Sequence, residues 1–110
     1  MQGVRIALDS TTRTNRHLII DLAARYKLPD IYSAKEFVQD GGLMSYAPDY
    51  AHLYARAASI VHRIFAGEKP TDLPIELPSK FEFVLNLKTA AALGLTIPPT
   101  LLARADEVIE

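Results

Sequence analysis

The sequence predicts an α/β fold in which short, mostly parallel strands alternate with helices. Three observations point there. Short apolar runs recur between segments of helical periodicity. Turn and breaker residues, among them Pro29, Gly41-Gly42, Gly67 and Pro98-Pro99, separate them. The chain has 110 residues, 49% apolar and 23% charged, which suits one small domain with a packed core and not a disordered or fibrous segment.

Val4–Leu8 reads as a short strand and the hydroxyl-rich Asp9–Thr14 as a loop able to cap a helix. Asn15–Leu28 is helical in pattern, with Leu18, Ile19, Leu22, Ala23 and Tyr26 forming its expected apolar face. Pro29 closes that helix, and Ile31-Tyr32 is a brief buried strand. Ser33 with Glu36 three residues on has the spacing of a capping box for a turn of helix through Ala34–Gln39. Leu43–Tyr46 is again strand-like.

Asp49 opens the clearest helix, Tyr50–Ala66, with an apolar face of Tyr50, Leu53, Tyr54, Ala57, Ile60, Val61 and Ile64; Gly67 ends it. Glu68–Pro78 carries three prolines and is expected to be an extended connector. Phe81–Leu87 alternates as a strand, with Phe81, Phe83, Leu85 and Leu87 on one side. Lys88–Leu93 is a short helix stopped by Gly94, and Pro98-Pro99 opens a last helix running through Ala105 toward Ile109.

A net charge of −1 with no basic block argues against a nucleic-acid partner. No apolar run is long enough to span a membrane. The start, Met1-Gln2-Gly3-Val4, has no export-signal pattern, so read literally the chain is expected in the cytoplasm. Cysteine is absent, which removes disulfides and thiolate metal sites.

The chemistry search favours binding over catalysis. Neither GxxxxGK(S/T), GxGxxG nor GxSxG occurs. His17, His52 and His62 have no metal-ligand spacing; the last two stand roughly 15 Å apart on one helix. No catalytic residue, metal or cofactor is expected. Asp106, Glu107 and Glu110 read as a solvated tail. Tyr26, Tyr50, Tyr54, Phe65, Phe81 and Phe83 fall at core-periodic positions. Ser33 and Ser45 each follow a short strand, and Tyr46 stands between a strand and a proline-opened helix. In open α/β sheets that is where ligands bind, so these hydroxyls are candidates for a crevice.

Several motifs in order carry a resemblance. They are Leu28-Pro29-Asp30-Ile31-Tyr32, Glu36-Phe37-Val38, Gly41-Gly42-Leu43-Met44-Ser45-Tyr46, Ala66-Gly67-Glu68-Lys69-Pro70, Leu73-Pro74-Ile75-Glu76, Asn86-Leu87-Lys88-Thr89-Ala90 and Leu93-Gly94-Leu95-Thr96-Ile97-Pro98. From about Asn15 onward the chain resembles the C-terminal third of ABC-transporter substrate-binding proteins. These have the type I periplasmic-binding fold, and the branch is the one related to tryptophan and other hydrophobic amino-acid binders.

The resemblance implies a partial version of a two-lobed architecture. Residues 15–48 would be second-lobe-like, and 49–110 first-lobe-like with the final crossing. It implies a periplasmic solute-binding component of an import system, with a small organic solute and the transporter's membrane subunits as partners. Carried over by segment, the ligand-facing residues are Ser33, Glu36, Ser45 and Tyr46. Glu36 would answer an amino group, and Tyr46 would stack or hydrogen-bond. The alternative expectation is a self-associating α/β remnant, a homo-oligomer with no ligand. One wall of a clamshell alone is expected to bind amino acids more weakly than millimolar.

Overall fold

The computed structural model describes residues 2–110. Its elements run β1 (Val4–Ile6), α1 (Ser10–Thr14), α2 (Arg16–Arg25), β2 (Asp30–Tyr32), α3 (Lys35–Gln39), β3 (Met44–Pro48), α4 (Tyr50–Phe65), a 3-10 turn (Pro70–Asp72), β4 (Phe81–Asn86), α5 (Leu87–Ala92), α6 (Pro99–Arg104) and β5 (Glu107–Ile109). The strands form one five-stranded sheet in sequence order. The pairs β1–β2, β2–β3 and β4–β5 are parallel. The β3–β4 pair is the exception. Asn86 N–H donates to Leu43 O at one end and Asp49 N–H to Lys80 O at the other, both at 2.8 Å. Residue numbers therefore fall along β4 as they rise along β3, which is antiparallel pairing.

The chain makes two compact units, one from the segments up to Ala47 and from Glu82 to Glu110, the other from Pro48 to Phe81. Residues 82–110 supply β4 and β5 to the sheet of the first segment, because strand pairing follows backbone hydrogen bonds that can join any two parts of the chain.

In the first unit, Ile20, Tyr32, Ala34 and Phe37 form the centre of a core that Ile6, Leu8 and Ile19 pack against. The Tyr32 and Phe37 rings stack with centroids 4.8 Å apart, worth about 0.5–1.5 kcal/mol beyond the area they bury. Helix α2 turns Ile20 and Ala23 inward and leaves Leu18 and Tyr26 exposed. The expected face mixed two adjacent stripes of the helix, and only one meets the sheet. Val84, Leu85 and Asn86 are all buried in β4, so the expected alternation fails where neighbouring strands and both covering layers enclose it.

The expected loop Asp9–Thr14 contains α1, because Asp9 closes a capping box with Thr12. Ala34 occupies the N-cap of α3 with no side-chain bond of its own. The last helix stops at Arg104, and Ile109 lies in a strand. Asp106 is exposed, and its carboxylate also accepts from Phe83 N–H at 2.7 Å.

Opposite the carboxyl ends of β1–β3, a buried polar network ties distant segments. The Asp30 carboxylate accepts from the Tyr32 hydroxyl and, at 3.3 Å, from Leu43 N–H. The Asn86 amide donates to Val38 O at 3.2 Å and caps α5 by accepting from Thr89 N–H at 3.0 Å. The Thr89 hydroxyl donates to Gly41 O at 2.9 Å. Burial raises the Asp30 carboxyl pKa above 3.8, against the pull of those donors. Burial first, then Asp30, pushes the Tyr32 hydroxyl upward as well.

In the second unit, α4 is capped by Asp49, which accepts from His52 N–H at 3.2 Å. That bond, opposed by burial and helped by Lys80, holds the Asp49 carboxyl below its ordinary range. The chain leaves the helix through Gly67 at φ 109°. Glu76 of the proline-rich return pairs with Arg56. No residue of α4 is buried, and Tyr54 and Phe65 are 75% and 85% exposed. The expected core roles of Tyr26, Tyr50, Tyr54, Phe65 and Phe81 are therefore corrected, since all five are exposed. The buried aromatic pair is Tyr32 and Phe37. Among the described residues no helix is long and apolar enough to cross a membrane.

Two measurements check this account. A Cβ at Gly42 would stand 2.5 Å from the Tyr32 ring and 2.9 Å from Phe37 O. Gly42→Ala should therefore cost about 1–3 kcal/mol, read as a fall of several degrees in Tm. Asp30, with its folded pKa raised, contributes stability that is complete below 3.8 and is lost as pH rises through the folded value. In denaturant titrations across that window, Asp30→Asn should gain stability relative to the parent as pH rises. A pH-independent difference would contradict the assignment.

Candidate functional site

Because β1, β2 and β3 are parallel, their carboxyl ends share one edge of the sheet. The antiparallel β4 brings its amino end there, with Glu82, and β5 follows β4. Ligands of open α/β sheets bind outside such carboxyl ends.

Of the four residues singled out from the sequence, three stand at this edge. Ser33 follows directly on β2, and its hydroxyl donates to the carbonyl of Ile6, the last residue of β1, at 3.5 Å. Glu36 lies in the first turn of α3, where its Oε1 is 2.8 Å from Arg13 Nε. Tyr46 comes one residue after the last β2–β3 pair, Tyr32 with Ser45, and so stands level with Ser33. Its side chain is 59% exposed. Ser45 does not join them. Alternation along β3 turns Ser45 and Ala47 to the buried face and Tyr46 to the other, and Ser45 is only 1% exposed.

The edge also holds residues that the sequence reading passed over. Arg13 arrives on α1. Lys35 opens α3, and its Nζ is 3.8 Å from Glu82 Oε2 at the start of β4. Arg13 and Lys35 share a local signal, a basic residue shortly after a strand. Glu82 had none, because its place depends on the antiparallel return. Asp9, also at this edge, is committed to α1. Its carboxylate accepts from Thr12 N–H at 2.7 Å, and chiefly for that reason its pKa is lowered. The Glu36 Oε1 atom is shielded from solvent and has no hydrogen bond, since Arg13 meets it off alignment.

A groove of about 600 Å³ lies in the second unit between α4 and the proline-rich return, lined by His52, Arg56, Ile60, Glu76, Leu77 and others. Its charged members are the paired Arg56 and Glu76, each held further into its ionised form mainly by the other. Among the described residues no group of His, Cys, Asp and Glu side chains could hold a metal ion.

The family described as ABC transporter substrate binding protein matches residues 1–109, and the chain belongs to that family. It is a family defined by binding and not by catalysis. Two solved structures share the fold and over a quarter of the sequence. A conserved domain protein from Vibrio cholerae O1 biovar El Tor is 28% identical with a TM-score of 0.89, over 97% of this chain and 36% of that one. An ABC domain in complex with L-Trp from Streptococcus pneumoniae is 29% identical with a TM-score of 0.89, over 99% and 37%. A ligand-free, open substrate binding protein with adhesive properties from Clostridium difficile shares the fold at 20% identity and a TM-score of 0.68, over 96% and 35%. The chain thus spans little more than a third of each structure's length. No curated protein matches the sequence.

The Arg13–Glu36 pair is half-exposed, at 52% and 40% of the two side chains. Such a pair contributes about 0–1 kcal/mol to a fold. Arg13→Ala should therefore shift the urea midpoint very little, and a larger loss would mean that the pair holds the edge together.

Proposed function

We propose that this chain supplies one wall of the solute site of an ABC import system's binding protein, and that the solute is a hydrophobic or aromatic amino acid. The observation that carries the reading is the gathering of Ser33, Glu36 and Tyr46 at the carboxyl edge of a parallel β1–β2–β3 array. Family membership supports the solute-binding role, and the tryptophan-bound neighbour supports the aromatic class. In this reading Ser33 offers a hydroxyl, Glu36 answers an amino group and Tyr46 stacks on the side chain. Residues 15–48 and 82–110 are second-lobe-like and 49–81 first-lobe-like. The partners are the transporter's membrane subunits, and the place of action is outside the cytoplasmic membrane.

A second reading, a homo-oligomer with no ligand, is favoured by the exposed apolar residues of α4, Tyr54 and Phe65 above all.

The test is a titration of the ¹⁵N-labelled chain with L-tryptophan, followed by amide shifts, alongside sedimentation of the free protein. Saturable shifts centred on Ser33, Glu36 and Tyr46 are expected, with half-saturation above about 1 mM because one wall buries little of the ligand. Shifts confined to other surfaces, or none, would reject the solute reading. Concentration-dependent dimerisation without any response to solute would favour the second.

A further inference from the structure

We infer that residues 74–78 of the second unit form a self-pairing edge. A second copy of this chain adds the same segment there in antiparallel register, with Ile75 opposite Leu77 and Glu76 opposite its counterpart. The pairing concerns the second unit alone and is independent of whether the sheet edge of the first unit takes a solute. Residues 74–80 run without a turn or bend, since Pro74 and Pro78 favour extended backbone at and before themselves. Side chains alternate along the segment. Ile75 and Leu77 are 96% and 83% exposed, whereas the Glu76 side chain is 32% exposed and its carboxylate turns to the Arg56 guanidinium of α4. The backbone alternates too: an extended residue points its N–H and C=O to one side and its neighbours point theirs to the other. On the side of residues 74, 76 and 78, the two prolines carry no N–H. On the other side Ile75 and Leu77 keep both groups, and among the described residues none of these has a partner. Proline is tolerated in a strand where its missing donor lies on the unpaired side, which leaves the Ile75 and Leu77 side as the one open to pairing.

The occupant follows from the symmetry of the segment and from its charges. Pro74-Ile75-Glu76-Leu77-Pro78 reads as proline, apolar, acid, apolar, proline in either direction. A two-fold axis at Glu76 therefore matches the segment to itself, as an interface between identical chains requires. Ile75 and Leu77 become hydrogen-bonded pairs that use every free N–H and C=O on that side, and their side chains form two apolar cross-strand contacts. The two Glu76 carboxylates meet as like charges, which by itself opposes pairing, but each is already matched by its own Arg56. Continued outward, the register brings Asp72 of each copy toward Lys80 of the other. Both are exposed, and Lys80 also has Asp49 of its own copy at 3.5 Å. Opposite charges thus meet at both ends of the paired segment. Two short strands make a small contact, below the ~1,200 Å² of a standard interface, so the dimer is weak and reversible.

The experiment is sedimentation velocity of the full chain from about 10 μM to 1 mM, which brackets weak association, together with cross-linking. The sequence has no cysteine, so single cysteines report the register. An Ile75–Leu77 pair places Cα atoms about 5.5 Å apart, within disulfide reach, while like positions stand on the diagonal at about 7–8 Å. A mixture of Ile75→Cys and Leu77→Cys chains should therefore cross-link several times faster than either variant alone. Leu77→Lys, a charge on an exposed edge position, should weaken the dimer at least about tenfold and leave the far-ultraviolet spectrum and Tm unchanged. A parent that stays monomeric over the whole range would overturn the inference. So would a Leu77→Lys dimer as strong as the parent's, or a mixture that cross-links no faster than its components. Either result would place self-association elsewhere, with the exposed Tyr54 and Phe65 of α4 next to be substituted.

Discussion

Backbone groups of the turn between α3 and β3 find their partners far away in the chain, and the sheet depends on them. Leu43 N–H is held by Asp30, and Leu43 O receives Asn86 N–H. Val38 O and Gly41 O are satisfied by the Asn86 amide and the Thr89 hydroxyl. The bonds at Leu43 N–H and Val38 O are buried, where an unmatched group costs about 1–3 kcal/mol. The network therefore sets one register for β3 against β4, and with it the place where the returning chain joins the sheet. Gly42 belongs to the same constraint: Tyr32 and Phe37 crowd the space where its side chain would be.

That register has consequences at the opposite edge. Because β4 runs against β3, its amino end lies beside the carboxyl ends of the parallel strands, and Glu82 meets Lys35. The polar network thus fixes from one end of the sheet which charges gather at the other. Stability and candidate chemistry are separated along the strands. Buried, fully engaged groups occupy the end with Asp30 and Asn86, while half-exposed groups, loosely paired, occupy the end with Ser33 and Glu36.

Much of the architecture was legible in local pattern. The strand at Ile31-Tyr32, the helix from Tyr50, the connector after Gly67 and the helix after Asn86 follow from caps, breakers and periodicity. The errors have one origin. The stripe of α2 that packs inward, the full burial of Val84 to Asn86, and the strand at Ile109 were all decided by neighbours distant in sequence. The Ser33 hydroxyl reaches the Ile6 carbonyl of the adjacent strand, a partner that its local spacing to Glu36 could not show. Ser45 looked like a crevice residue because it follows a short apolar run, yet the pleat turns it inward and Tyr46 outward.

The sequence by itself determined the fold class, the family and the residue types available for binding, because periodicity, turn chemistry and ordered motifs are local properties of the chain. Only the tertiary structure decided the antiparallel return of β4, the exclusion of Ser45 from the edge, and the meeting of Arg13 with Glu36 and of Lys35 with Glu82. Each of these depends on hydrogen bonds or packing between segments that no local window contains.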